Sequence, residues 1–195
     1  MAILDVLIVV DAPRIIKDYG KNDFAQSDTD TSRYVQLKND GKYYVYMIGT
    51  WYAVQNQGES ELDVFARPGD QIRWRMTSIS MGGAYQCVIK EFVFNNGAGN
   101  LTPPALMSKK ILTPELDPNA RPLGKIMHTE VDDVFWESTV LNTGPVTYHT
   151  KFAIFAGGGG LSGGGGGGGG GGCGGCGGDG NCGGYQYDPF INKRL

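Results

Sequence analysis

The chain has 195 residues, 41% hydrophobic and 11% aromatic, which suffices for one packed domain with an appendage. A formal charge of −3, with no basic cluster beyond Lys193-Arg194, argues against a nucleic-acid partner, which would call for a basic face to neutralise phosphates. No apolar run approaches the roughly 18 residues of a membrane-spanning helix, so no membrane insertion is expected, and four cysteines, three of them in a glycine tract, do not make the framework of a small disulfide-stapled domain.

Taken in chain order, Ile3 to Asp11 is a nearly continuous apolar run that suits a strand buried on both faces. It lacks a basic leader and a small-residue cleavage site and carries Asp5, so it reads as a strand rather than a signal peptide; no classical export is expected. Asp11-Ala-Pro-Arg has the composition of a helix start, and Gly20 can stop that helix after one or two turns. Lys21 to Ser32 is polar and turn-rich. Lys42 to Trp51, rich in Tyr, Val and Ile, reads as a strand.

Glu61 to Ala66 and Gln71 to Ser78 both alternate, with Leu62, Val64, Ile72 and Trp74 on apolar faces. The turn composition Arg67-Pro-Gly-Asp70 between them predicts a hairpin. Ala84 to Phe94 is a further strand. Asn95 to Gly124 holds five prolines, which exclude a central strand or a long helix and predict irregular chain. Val134–Leu141 and Val146–Phe155, separated by Asn142-Thr-Gly-Pro145, predict a second hairpin, with Val146, Tyr148, Phe152 and Ile154 facing the core. Many strands with almost no helical period indicate an all-β protein, an antiparallel β-sandwich with one short N-terminal helical turn; a closed barrel is the alternative.

Residues 157–184 are 21 glycines in 28 positions. Ordering such a tract costs about 1–2 kcal/mol of backbone entropy per residue, with almost no side chain to bury in return. A flexible loop is one reading; extended polyglycine helices, packed as only glycine allows, are another. After the tract, Tyr185 to Ile191 resumes an aromatic, strand-like pattern. The tract therefore reads as a loop insertion, since lengthening a loop to this size costs only about 2 kcal/mol. The expected division is a core over 1–156, an insertion over 157–184 and a returning strand in 185–195.

Candidate chemistry is sparse. Cys173-Gly-Gly-Cys176 with Cys182 lacks the fourth ligand of a structural zinc site and the helix N-terminus that activates a redox pair. A metal, a disulfide or inter-chain crosslink, and inert thiols all stay open there. Cys87 is expected to be a packed core thiol, and its pairing with His128 or His149 as a nucleophile is uninformative. Asp132-Asp133 face opposite ways in a strand, and a solvated turn is the simpler reading. The glycines form no phosphate loop, since no Gly-Lys-Ser/Thr and no helix follow. No catalytic residue, cofactor or metal ligand set is assigned. Trp51, Tyr52 and Trp136 are aromatic candidates for sugar stacking, with core positions as the alternative.

Several stretches resemble the AidA/PixA inclusion-body family. They are Asp5-Val-Leu-Ile-Val-Val-Asp11 with Ile15-Ile16 and Tyr19-Gly20, then Val45-Tyr-Met47, then Gly69-Asp70 with Ile72-Arg-Trp-Arg and Thr77-Ser-Ile-Ser80. Tyr148 to Phe155 and Tyr187-Asp-Pro-Phe-Ile191 complete the set. The resemblance covers about residues 3–156 and 185–191. With six methionines the chain is unlike the methionine-rich branch, and the glycine insertion lies outside the family pattern. The resemblance implies a β-sandwich that self-associates, bacterial expression tied to quorum sensing or stationary phase, and a cytoplasmic location in inclusions, without established catalytic residues. A non-enzymatic structural homo-oligomer is thus the leading expectation, with a carbohydrate-binding module as the alternative.

Overall fold

The structure is a computed structural model that describes residues 1–22, 34–80, 84–121, 124–156, 181–187 and 190–191. In chain order its elements are β1 (Ile3–Val10), α1 (Ala12–Tyr19), β2 (Val35–Gln36), β3 (Val45–Gly49), β4 (Val54–Gln55), β5 (Asp63–Val64), β6 (Gln71–Ser78), β7 (Tyr85–Asn96), β8 (Ala105–Leu116), β9 (Ile126–Thr139), β10 (Val146–Ala156), β11 (Asn181–Tyr187) and β12 (Phe190–Ile191). The first sheet runs β3-β1-β6-β9-β8. In the second, β10 lies between β7 on one side and β11 and β12 on the other, with β2 beyond β11. The short pair β4–β5 stands apart.

β1 buries only one face: Leu4, Val6, Ile8 and Val10 point inward, whereas Ile3 and Leu7 are exposed. The apolar run that suggested burial on both faces conceals this alternation, because apolar residues also occupy the outer positions. α1 is the two-turn helix expected, with the Asp11 side chain accepting from Arg14 N–H at 3.2 Å and Gly20, at φ 73°, donating its N–H to the Ile16 carbonyl.

Most pairs are antiparallel, but β2 runs parallel to β11 and β6 runs parallel to β1. The cause of the second is Asp70. Its carboxylate accepts the N–H of Ala2 at 2.7 Å and of Arg67 at 3.0 Å, which pins the start of β6 to the start of β1. The predicted hairpin around Arg67–Asp70 is therefore wrong: the turn forms, but β5 pairs with β4, while β6 lies between β1 and β9. The second predicted hairpin is wrong as well. β9 belongs to the first sheet and β10 to the second, so Asn142–Pro145 carries the chain from one sheet to the other. β10 has both edges occupied by other strands, and the end of the β9 segment is held instead by Val140 N–H to the Asp70 carbonyl and Leu141 N–H to the Asn100 carbonyl, both 2.8 Å. Within the stretch expected to be irregular, β8 is a 12-residue strand at the edge of its sheet. An edge position accommodates Pro114, which needs no N–H there.

Between the sheets, Leu62, Val64, Ile72, Trp74, Val146, Tyr148, Phe152 and Ile154 are all buried, as their shared parity predicts. Trp74 Nε1–H donates to Tyr148 Oη at 3.0 Å across the sandwich. Phe92 of β7 lies 5.0 Å from Trp74 and 5.3 Å from Tyr148 between ring centroids, so one aromatic cluster joins both sheets. Burial raises the Tyr148 hydroxyl far above the ordinary tyrosine range, against the opposing pull of the Trp74 hydrogen bond, and it stays neutral throughout the physiological range.

The strand after the glycine tract starts at Asn181, inside the region read as insertion, and lies antiparallel to β10. Tyr185 and Tyr187 are fully buried and pack on Phe152 with centroid distances of 6.0 and 6.2 Å. Asn22 clamps the strand, with its side-chain amide donating to the Gly184 carbonyl and accepting from Gly184 N–H at 2.9 and 3.0 Å. The loop and polyglycine readings of the tract fall on residues up to 180, outside the described residues.

Replacing Trp74 with Ala should cost about 3–5 kcal/mol in urea unfolding, the range for deleting a buried large aromatic. Tyr148→Phe should cost about 1–3 kcal/mol, because it leaves the Trp74 N–H buried without its acceptor.

Candidate association surface and aromatic pocket

β8 and β9 form a ribbon much longer than the sheet that carries it. They pair with each other from Ala105↔Glu137 to Leu116↔Ile126. Among the described residues, β6 flanks β9 only from Trp136 to Thr139. The distal ten residues of each strand, about 30 Å at a strand's rise, thus leave the body as a two-stranded arm.

The arm has two unlike faces, fixed by strand parity. On the outer face Phe135 is buried beneath cations, with the guanidinium carbons of Arg73 and Arg75 each 4.8 Å from its ring centroid and Lys109 Nζ at 5.5 Å. Around it, Arg75 makes two bonds to Asp133 at 2.7 and 2.8 Å and a third to Asp5 at 2.6 Å, and Arg73 bonds Glu137 at 2.6 Å. This lattice ties the root of the arm to β1 and β6.

The other face continues the inner surface of the sandwich. Trp136, opposite Trp74, is half-buried and packs on Phe92 at 5.7 Å. Beyond it lie Leu106, Val134, Leu112, Leu116 and Ile126, each between 52 and 69% exposed. Mid-arm, Lys110 pairs with Glu130 at 3.5 Å and Asp132 at 3.4 Å. Asp132 and Asp133 therefore do face opposite ways, but on a strand with separate cationic partners rather than in a turn. His128 is an exposed residue of this arm, opposite Pro114.

A second feature sits at the far edge of the first sheet. Trp51 is 81% and Tyr52 60% exposed, and their rings meet edge to face at 5.7 Å. Tyr52 borders a pocket of about 650 Å3 whose walls include Phe65, Arg67 and Asp70. The pocket's carboxylate is already engaged: burial opposes ionisation of Asp70, but the backbone N–H groups of Arg67 and Ala2 outweigh it and hold the group below the usual carboxylate range. Trp136 belongs to the arm's root and does not join Trp51 and Tyr52.

Cys87 is buried as expected of a core thiol, and that burial pushes it up to about 12, only partly offset by a hydrogen bond with Ser78. A thiol so held is protonated and unreactive at neutral pH. Cys182 is buried in β11 and disulfide-bonded. Cys173 and Cys176 lie outside the described residues. The arm escaped sequence reading because prolines masked β8 and because residues 126–133 of β9 mix polar and apolar types on both parities.

The Arg75 hydrogen bonds hold the Asp133 carboxyl below its usual range, with burial a smaller opposing influence. A depressed folded pKa adds stability that is present above the unfolded value, about 4, and lost as pH falls through the folded one. Asp133→Asn should therefore cost about 1–2 kcal/mol at pH 7. Denaturant midpoints measured down the acid limb should converge with wild type below the folded pKa.

Compared with known proteins, the chain matches the description of the PixA inclusion body protein family over residues 2–192. No curated protein matches it. Among solved structures, the crystal structure of a PixA inclusion body protein from Burkholderia cenocepacia J2315 superposes with a TM-score of 0.68 at 13% identity, covering 99% of this chain and 96% of that one. At that identity the likeness speaks for the fold, and the family match over nearly the whole length decides membership. This chain belongs to the PixA inclusion body protein family.

Proposed function

We propose that the protein is a non-enzymatic structural component that associates with copies of itself and accumulates in cytoplasmic inclusions of a bacterial cell. The observation that carries this reading is the arm, which presents five mostly exposed apolar side chains on one face. Large apolar side chains clustered in solvent at both ends of one projecting face are a recurrent mark of interaction surfaces. The inclusion-body description of the family points the same way. So does the state of the reactive groups: the Cys87 thiol is locked protonated, and Asp70 and Asp133 spend their carboxylates on backbone and guanidinium partners. The glycine tract is part of this proposal, as a segment whose close backbone packing strengthens assembly.

Native mass spectrometry of the full chain should show a homo-oligomer; a strict monomer at all accessible concentrations would remove the reading. Alanine at alternate glycines of the tract should lower oligomer size or stability, and unchanged mass and melting temperature would reduce the tract to a tether.

A second reading, carbohydrate binding, is favoured by the exposed Trp51–Tyr52 pair beside its pocket. Aromatic faces offer stacking area to sugar rings. It predicts glycan-array hits that vanish in Trp51→Ala, with the fold intact by circular dichroism.

A further inference from the structure

We propose that β11 and β12 of one copy insert beside β10 of another, so that copies are joined by exchanging their C-terminal strands. The proposal rests on the self-association reading above and names its surface and partner.

The slot for these strands is complete in every copy. β11 and β12 together line β10, from Phe155↔Asn181 to Val146↔Ile191. The groups that hold β11 come from residues 1–156. Phe152 packs on Tyr185 and Tyr187, and the Asn22 side chain clamps Gly184. The Gly20 carbonyl accepts from Tyr185 Oη, and Leu37 N–H donates to the Gln186 carbonyl at 2.9 Å. A second copy offers the same groups in the same order. Its slot therefore fits the strand by identity of sequence, and the exchange needs no new interface.

What separates a strand's own slot from a neighbour's is the tether. Phe155 stands opposite Asn181, a closure that a hairpin loop makes with about two to five residues. The chain instead places 24 residues, 157–180, between β10 and β11. The advantage of a strand on its own chain is an effective concentration, which falls roughly as the −3/2 power of tether length beyond the span. A tether of this length reaches at most about 80 Å, against about 30 Å for the diameter of a small domain. A neighbour's slot is within reach, and in a dense body the neighbours' strands compete with the chain's own.

No disulfide ties the strand to its own body. Cys182 is disulfide-bonded, but Cys87, the one cysteine in residues 1–156, is free. Two reciprocal exchanges close a dimer, and exchange passed head to tail adds copies without limit.

The test co-expresses two full-length forms with different affinity tags, one carrying Lys151→Cys and the other Gln186→Cys. These positions are directly opposed on β10 and β11, at about 5 Å between Cβ atoms. Mild oxidation should join the two forms through a 151–186 disulfide, mapped by mass spectrometry. A dimer docked without exchange keeps both positions paired within each chain and gives no such link. Separately, deleting residues 158–172 keeps all four cysteines and shortens the tether to nine residues. Sedimentation velocity should then show the dissociation constant of the dimer raised about 20-fold, the −3/2 power taken for two strands. A wild-type monomer would overturn both this proposal and the self-association reading. A wild-type oligomer that gives no inter-chain 151–186 link would overturn strand exchange alone. If the cysteine forms fail to fold, the shortened chain decides, and an unchanged dissociation constant overturns the exchange.

Discussion

The contact between Trp74 and Tyr148 is the constraint on which the sandwich turns. Trp74 stands on β6, at the middle of the first sheet, and Tyr148 on β10, the middle of the second. Their hydrogen bond is buried, so neither polar group has water as an alternative, and each fixes the other's depth and orientation. Phe92, Phe94 and Trp136 then pack edge to face around them, and that packing sets how β7 and β9 lie over one another. Strands further out inherit their positions from this cluster through their backbone ladders.

The same constraint explains where the arm begins. Trp136 is the last residue of β9, reading toward the tip, that still has a partner on β6, and Phe92 covers it from the other sheet. Past that point no element among the described residues lies opposite the inner face, so residues whose parity would otherwise make them core are exposed there. The arm is core patterning carried beyond the core. Its root is held on the outer face by a different chemistry, the guanidinium groups of Arg73 and Arg75 over Phe135, which lets the ribbon project while staying registered to the body.

The C-terminal strand illustrates how a local pattern can outrank distance in sequence. Tyr185 and Tyr187 bury their rings against Phe152, while Asn22 and Gly20 satisfy backbone and hydroxyl groups, Tyr185 Oη donating to the Gly20 carbonyl at 2.6 Å. Closing a long loop costs little more than closing a short one, so aromatic burial suffices to bring the strand to β10.

By itself the sequence determined which segments extend and which of their faces are apolar. Leu62, Ile72, Trp74, Tyr148 and Phe152 follow from alternation, because a period of two arises from the pleat of a strand whatever lies beside it. Cys87 in the core and Asp11 at the helix start are legible for equally local reasons. Apart from the strand that returns after the glycine tract to pair with β10, neighbours in the sheet were not legible. Two well-formed turns, at Arg67–Asp70 and Asn142–Pro145, look like hairpins and are not, since the Asp70 carboxylate and the occupied edges of β10 lie far away in sequence. β8 was hidden because proline forbids a central strand but permits an edge, and only the finished sheet says which strands are edges. The candidate surface was hidden for the same reason: an apolar strand face becomes core or interface according to whether a second layer reaches it, and only the tertiary structure sets where that layer ends.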